Sequence, residues 1–302
     1  MSELLSDAFK EISRILRFND MSLLGGDTHT QNTSLDNQKH IDLLANDIII
    51  KAIMSNDEFI GYISEEDEKL VLKNDRDGHL VVFDPVDGSK NVKSNITVGT
   101  IYSIYEYDNK NDQIKSIVES GYCLYGAATV MVKTTPSHTL EHYILNENND
   151  FIHITTIENQ KTNMFFSANM VYDYDKEAET FIRMMKNTKC TQRWIGSMVA
   201  DCHQIILNGG TFIYPSTCKN PNGKIRLLYE AIPFSHIFSC VGGVALDANK
   251  NNIIDRLPFI KLKNVPVHTE TPIILSTVYT CLLYTSDAAD DSLRVDLGGR
   301  RI

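Results

Sequence analysis

The segment Asp84-Pro85-Val86-Asp87-Gly88-Ser89 constrains this chain more than any other, because it follows directly on the apolar run Leu80-Val81-Val82-Phe83. A short apolar run bounded by turn residues predicts a buried strand. Pro85, with its fixed φ, and Gly88, which tolerates φ > 0, predict that the strand ends in a tight turn. Two carboxylates are thereby placed at a sheet edge beside backbone amides that an anion can use, a layout for a metal ion and a phosphate. Alone, an Asp-x-x-Asp-Gly sequence reads better as a polar surface turn, so the rest of the chain has to decide.

About twenty residues upstream, Ser64-Glu65-Glu66-Asp67 also ends a short apolar run, Tyr62-Ile63. Three adjacent carboxylates after a buried strand repel one another unless a cation sits among them. Asp42 and Asp47 add two acids on a predicted helix, and Glu230 stands beside Tyr229 in an apolar context. Hard carboxylate oxygens without His or Cys nearby favour Mg²⁺, or Mn²⁺, over zinc.

The whole chain is acidic, with 29 Lys+Arg against 39 Asp+Glu and a formal net charge of −10 over 302 residues. That balance argues against a general nucleic-acid or anionic-membrane surface, since both need a positive field. No stretch approaches the ~18 continuous apolar residues of a membrane span, and the first residues lack the layout of an export signal. Six scattered cysteines (Cys123, Cys190, Cys202, Cys218, Cys240, Cys281) show no C-x-x-C spacing. Reduced thiols in a cytoplasmic protein are the expectation.

Apolar residues at helical spacing (Leu4, Leu5, Ala8, Ile12, Ile15, Leu16) predict an opening amphipathic helix. Gly25 to Lys39 reads as a polar surface loop, and Ile41 to Met54 as a second helix. Strand-like runs follow at Tyr62-Ile63, Leu80 to Phe83, Thr97 to Ile104, Gly121 to Lys133, His142 to Leu145 and Phe151 to Thr156, suggesting one mixed sheet flanked by the early helices. After a boundary near Glu158 to Asn163, helices are expected around Lys176 to Met185 and Ser197 to Asn208, a strand at Thr211 to Tyr214, and a strand or helix start at Arg226 to Glu230. The expected fold class is α/β, with an N-terminal domain at 1–158, a C-terminal domain at 159–279 and a tail at 280–302.

The order of Asp47, Ser64-Glu65-Glu66-Asp67, Asp84-Pro85-Val86-Asp87-Gly88-Ser89, Gly121-Tyr122-x-Leu124-Tyr125-Gly126, Gly196-Ser197-Met198-Val199-Ala200-Asp201 and Pro221-Asn222-Gly223-Lys224-Ile225-Arg226-Leu227-Leu228-Tyr229-Glu230 resembles class 1 fructose-1,6-bisphosphatase, from about Leu4 to Ser276. The first acidic motif marks only the wider lithium-sensitive, metal-dependent sugar and inositol phosphatases; the last two blocks are more specific. The resemblance implies a layered sugar-phosphatase fold of two α/β domains with mixed sheets. It also implies hydrolysis of a sugar bisphosphate with two to three Mg²⁺ per subunit, in a homotetramer or at least a dimer.

Residue by residue, Glu65, Asp84, the carbonyl of Val86, Asp87 and Glu230 are implied to hold two metal ions, with Asp42 near a third. Glu66, oriented by Asp47, is implied to activate the attacking water. Asp87 and the backbone around Gly88 and Ser89 would cradle the 1-phosphate, with Lys90 beside them. Asn169, Tyr172, Tyr214 and Lys224 match a 6-phosphate pocket, Arg193 reaches in from a neighbouring subunit, and Ser197 and Met198 line the sugar. On residue type alone, Tyr172 and Tyr214 read as half-buried core and Met198 as helix packing. His203 reads as a satisfied core histidine, and Lys133, His138, His142 and His153 as solvated groups.

Four departures from the family pattern bear on these expectations. Lys90 replaces a second Ser after the acidic motif, and Trp194 replaces a Tyr beside the 6-phosphate pocket. Met1 falls inside the helix that carries half of the animal-type AMP site, and Gly78-His79 stands where a Lys-Tyr pair completes it, so weak or absent AMP inhibition is expected. The short, cysteine-free Tyr105 to Gly121 segment lacks the plastid-type redox insertion. From about Thr280 onward the chain loses the pattern and resembles translated sequencing-adapter read-through, so a non-native tail is expected. The alternatives carried with this reading are sedoheptulose-1,7-bisphosphatase, a monophosphatase of the inositol type, and a catalytically weak regulatory paralogue.

Overall fold

The computed structural model describes residues 3–31, 37–159, 165–169, 173–187, 190–263 and 266–277. The chain opens in α1 (Glu3–Phe18) and a short α2 (Met21–Leu24), and continues through β1 (Asp27–Gln31) and β2 (Asn37–Lys39) into α3 (His40–Met54). The β1–β2 ladder, with Asp27 opposite Lys39, lies where a surface loop was expected. This polar segment has no apolar alternation to announce a strand; its pairing and the Lys39–Asp27 ion pair hold it.

Eight strands form the first sheet: β3 (Phe59–Ser64), β4 (Val71–Leu72), β5 (Gly78–Asp87), β6 (Val98–Asp108), β7 (Gln113–Tyr125), β8 (Thr129–Thr134), β9 (Leu140–Leu145) and β10 (Phe151–Ile157), in the order β10-β9-β8-β7-β6-β5-β3-β4. The Gly121 to Lys133 run is two strands, turned at Gly126. Only β3 and β5 run parallel within this sheet. The second half contributes β11 (Phe165–Ala168), α4 (Lys176–Asn187), β12 (Thr191–Gln192), α5 (Met198–Asn208), β13 (Gly210–Tyr214), β14 (Ile225–Arg226), α6 (Ile232–Cys240), β15 (Val244–Leu246), β16 (Glu270–Thr271) and β17 (Ile273–Ser276). Its five-stranded sheet runs β12-β11-β13-β17-β15.

Alternating side chains sort the first sheet's residues to two cores. Val81 and Phe83 pack with Leu5, Phe9, Ile12, Ile49 and Ile53 from α1 and α3. Leu80 and Val82 pack with Val199, Ile205, Phe234 and Ile237 from α5 and α6, and that same core takes in Phe212 and Leu275 from the second sheet. Phe181, Ile182 and Met185 of α4 close the second sheet's far face on Phe166, Ile213 and Ile274. The result is five layers, helices–sheet–helices–sheet–helix, with α5 and α6 between the sheets.

In that middle layer the Nδ1 of His203 lies 2.9 Å from the Tyr122 hydroxyl, and its ring meets His142 edge-on at 5.6 Å. His142, expected as a solvated group, is half-buried with its Nε2 shielded from solvent, because the strand it sits on faces α5. Burial, and secondarily His142, lower the His203 pKa to about 4. The neutral imidazole therefore contributes stability that is complete above its ordinary value of 6.5 and lost as the pH falls toward 4. His203→Gln is expected to be less sensitive to acid than the parent by about 2–3 kcal/mol. Urea unfolding of both proteins at neutral pH and near pH 4 reads that difference directly; equal acid sensitivity would refute it.

Candidate active site

The acidic centre is built where β3 and β5 end side by side. Parallel pairing sets Ser64 beside Phe83, and the Glu65 N–H donates to the Phe83 carbonyl at 3.1 Å, so Glu65 and Asp84 emerge as neighbours. In a regular strand residues 84 and 87 would face opposite ways. Here Asp84 pairs with Ile101 but Asp87 with Gly99, three residues of β5 against two of β6. This bulge slips the alternation and brings both carboxylates to one side.

Glu230 arrives from the second half. The chain enters α6 through one π-helical turn, Leu227–Ala231, an irregularity common at functional sites. The Tyr105 hydroxyl anchors the turn by donating to the Leu228 carbonyl at 3.1 Å. Carboxylate oxygens of Asp84, Asp87 and Glu230 lie within 4.8 Å of one another, and all three residues are buried.

Burial pushes Asp84 well above the usual carboxylate range, with Glu65, Asp87 and Glu230 adding repulsion. Glu65 is raised by burial, then by Glu230 and Glu66. Asp84 Oδ1 is buried without a hydrogen-bond partner. Repelling carboxylates with a buried acceptor oxygen left over fit a hard divalent cation, and the all-oxygen donor set suits Mg²⁺ or Mn²⁺. The side chain of Val86 packs into the core beneath, on the bulge between the two Asp residues.

Asp42 and Asp47 part company on α3. Five residues are about 140° around a helix, so Asp42 is buried at the centre while Asp47 is exposed. Asp42 lies close enough to Glu66 for the two carboxylates to repel each other. Asp42 accepts the Lys39 N–H at 2.7 Å and a hydrogen bond from the Ser89 hydroxyl. Burial first, and then repulsion from Glu66, raise Asp42 to about 7 against the opposing bonds from Lys39 and Ser89. Glu66 accepts from the Gln38 amide, and its N–H donates to Ser64 Oγ at 3.1 Å.

Asp87 is gripped by the start of α5. Its Oδ2 accepts from Ser197 Oγ at 2.6 Å and from the Val199 N–H at 2.8 Å, and the Met198 N–H also points to this carboxylate. Burial raises Asp87, and these donors oppose the shift. Gly88 has φ +79°, and a Cβ there would stand 2.5 Å from Ser197 Cβ, so conformation and space both demand glycine. It leads into a 3₁₀ turn, Ser89–Ser94, whose first N–H groups have no partner within the turn.

The remaining expected residues divide. Ser197 and Met198 are buried, Met198 within the main core. Asn169 is buried and receives the Tyr174 hydroxyl at its carbonyl. Tyr214 is half-buried beside Trp194, ring centroids 6.1 Å apart, while Trp194 stacks on Phe212. Lys90, Arg193 and Lys224 are exposed, with the Arg193 guanidinium 5.0 Å over the Phe165 ring. Tyr172 and the segment from Thr280 lie outside the described residues.

Sequence models of the fructose-1,6-bisphosphatase N-terminal and C-terminal domains match residues 1–156 and 157–277 respectively. The chain belongs to the fructose-1,6-bisphosphatase family. A class 1 fructose-1,6-bisphosphatase of Psychrobacter cryohalolentis is 32% identical over 297 residues, covering 90% of this chain and 88% of its own. The fructose-1,6-bisphosphatase of Schizosaccharomyces pombe is 34% identical over 273 residues, covering 84% and 78%. The crystal structure of Leishmania major fructose-1,6-bisphosphatase in holo form superposes with a TM-score of 0.82 at 28% identity, over 94% of this chain and 92% of that one.

In this fructose-1,6-bisphosphatase family member two positioning residues escape sequence reasoning. Asp201 accepts the Ile195 and Gly196 N–H groups at 3.1 and 3.2 Å and the Ser167 hydroxyl at 2.6 Å, shaping the loop before Ser197. Its place four residues after an N-cap Ser was the available signal. Arg226 lies buried between Glu270 and the acidic centre, and only its membership of the Pro221 to Glu230 block hinted at a role.

Proposed function

We propose that the chain hydrolyses the 1-phosphate of fructose 1,6-bisphosphate, yielding fructose 6-phosphate and phosphate, with Mg²⁺ held by Asp84, Asp87, Glu230 and Glu65. The observation that carries this is the meeting of three buried carboxylates from both halves of the chain, with Asp84 Oδ1 unsatisfied. Bound there, the cation supplies charge neutralisation for the phosphate oxygens and the departing alkoxide.

The protein's own groups divide the remaining work. Glu66, oriented by Asp47 of α3, accepts the proton of the attacking water, and Asp42 lies near a third cation. Ser89, bonded to Asp42, ties the phosphate-binding turn to that same acid. The N–H groups at the start of the Ser89–Ser94 turn receive the 1-phosphate. Lys224, with Asn169, Tyr172 and Tyr214, receives the second phosphate; Lys offers a point charge there and a partner subunit's Arg193 a fork.

This last contact makes the active unit a dimer or tetramer. Gluconeogenic carbohydrate metabolism in the cytoplasm is the matching setting; among the described residues no helix is long and apolar enough to cross a membrane. AMP inhibition is weak on this reading, because Gly78-His79 stands where a Lys-Tyr pair would complete the nucleotide site.

Phosphate release with Mg²⁺ from fructose 1,6-bisphosphate, sedoheptulose 1,7-bisphosphate and an inositol monophosphate tests the proposal. The expected result is the highest kcat/KM for fructose 1,6-bisphosphate. Preference for either of the others, or turnover of none, overturns it.

A further inference from the structure

Away from the acidic centre, three side chains of different chemistry converge on the seam between the first sheet and the middle helix layer. His138 sits in the turn between β8 and β9, which is closed by its own N–H donating to the Thr135 carbonyl at 3.0 Å. His236 and Cys240 lie four residues apart on α6 and so share one helix face. Each of the three offers a donor atom, and these atoms lie within 4.8 Å of one another.

The spacing suits a tetrahedral cation. With metal–sulfur bonds of about 2.3 Å and metal–nitrogen bonds of about 2.0–2.1 Å, the sulfur–nitrogen edge of a zinc site is about 3.6 Å. Cys240 Sγ and His138 Nδ1 stand 3.5 Å apart. The two imidazoles are 5.8 Å apart between ring centres, within reach through rotation of the exposed His138.

His236 is already oriented as a ligand. Its Nδ1 is 3.1 Å from Ser120 Oγ, which in turn bonds Ser103 at 2.7 Å. An oxygen partner of this kind fixes the tautomer and aim of a metal-binding imidazole and leaves Nε2 for the metal. Burial, helped by His138, lowers His236 to about 4, so the ring is unprotonated at neutral pH. The Cys240 thiol, raised to about 11 by burial, is protonated until a metal displaces the proton. Exposed His138 provides the way in.

We propose that His138, His236 and Cys240 form a second metal site, for a zinc-class cation, with the fourth tetrahedral position taken by water or an exogenous ligand. Two nitrogens and a sulfur select Zn²⁺ and discriminate against Mg²⁺, the reverse of the all-oxygen centre around Asp84. An ion there ties the β8–β9 turn to the end of α6, the helix that begins just after Glu230.

Co²⁺ is the probe, titrated into the full chain saturated with Mg²⁺. One equivalent is expected to produce thiolate-to-metal charge-transfer absorption, which Zn²⁺ then bleaches; Co²⁺ among carboxylates gives no such band. Cys240→Ser should abolish the band. His138→Asn, chosen because Asn tolerates the positive φ of 59° at this turn, should weaken Co²⁺ binding at least about tenfold. Both variants should keep the parent's circular dichroism and Mg²⁺-dependent phosphate release. Absence of the band in the parent, or its persistence undiminished in either variant, overturns the assignment.

Discussion

Asp84→Asn is expected to cut Mg²⁺-dependent phosphate release by more than about a hundredfold, beyond what losing a ligand's supporting hydrogen bond costs, while making the metal-free protein more stable. Both effects come from one charge. Asp84 lies in a cage of like charges formed by Glu65, Asp87 and Glu230, and burial raises the cost of keeping it ionised. Asn preserves its volume and offers an N–H to the neighbouring carboxylates, so the repulsion falls. A rise of a few degrees in melting temperature corresponds to about 1 kcal/mol in a chain of this size. Mg²⁺ stabilises the parent by mass action, and the variant should gain much less. Thermal unfolding with chelator and with Mg²⁺, alongside phosphate release, gives all the quantities. A metal-free variant that melts below the parent would show that Asp84 is a structural acid and not a ligand.

Arg226→Met reverses the logic. Burial works against the charge of this guanidinium, but Tyr229, Glu230 and Glu65, together with its bond to Glu270, more than offset it. Removing it strands carboxylates that already lack water. Loss of one partner of a buried charged group costs about 3–5 kcal/mol, so the metal-free variant should be destabilised on that scale. Because the competing cation is gone, Mg²⁺ should stabilise the variant by more than it stabilises the parent. Urea unfolding across a Mg²⁺ series measures this. A loss under about 1 kcal/mol, or one that Mg²⁺ does not reduce, would remove Arg226 from the electrostatics of the centre.

What could be read from the residues followed a physical divide. Helix α3 and strands β3 and β5 carry their own periodicity and end in their own turn chemistry, so the acids at their ends were legible as a group. The bulge at Pro85-Val86 was not, because it is a mismatch between two strands and neither strand encodes it alone. The same holds for the grip of α5 on Asp87, a contact across 110 residues of chain. Asp42 and Asp47 were both legible as acids on one helix, but the 140° between them, set by the helical twist, buries one and exposes the other, a difference their residue type does not carry. His138 read as a solvated surface group because its partners are about a hundred residues away. The β1–β2 ladder escaped notice because polar residues paired with polar residues leave no hydropathy signal.

The helix layer that both sheets share has a consequence for how the chain comes apart. Leu80, Val82 and Tyr122 from one half and Val199, Phe212 and Ile237 from the other are members of a single core. Neither half retains a closed interior without α5 and α6. The chain is therefore divisible as a topology but not as a material: severed near residue 158, each fragment would present an open apolar face, and the two would have to find each other before either became solid. Cooperativity and catalysis thus have a common seam, since the contact that welds the halves also brings Glu230 to Asp84 and Asp87.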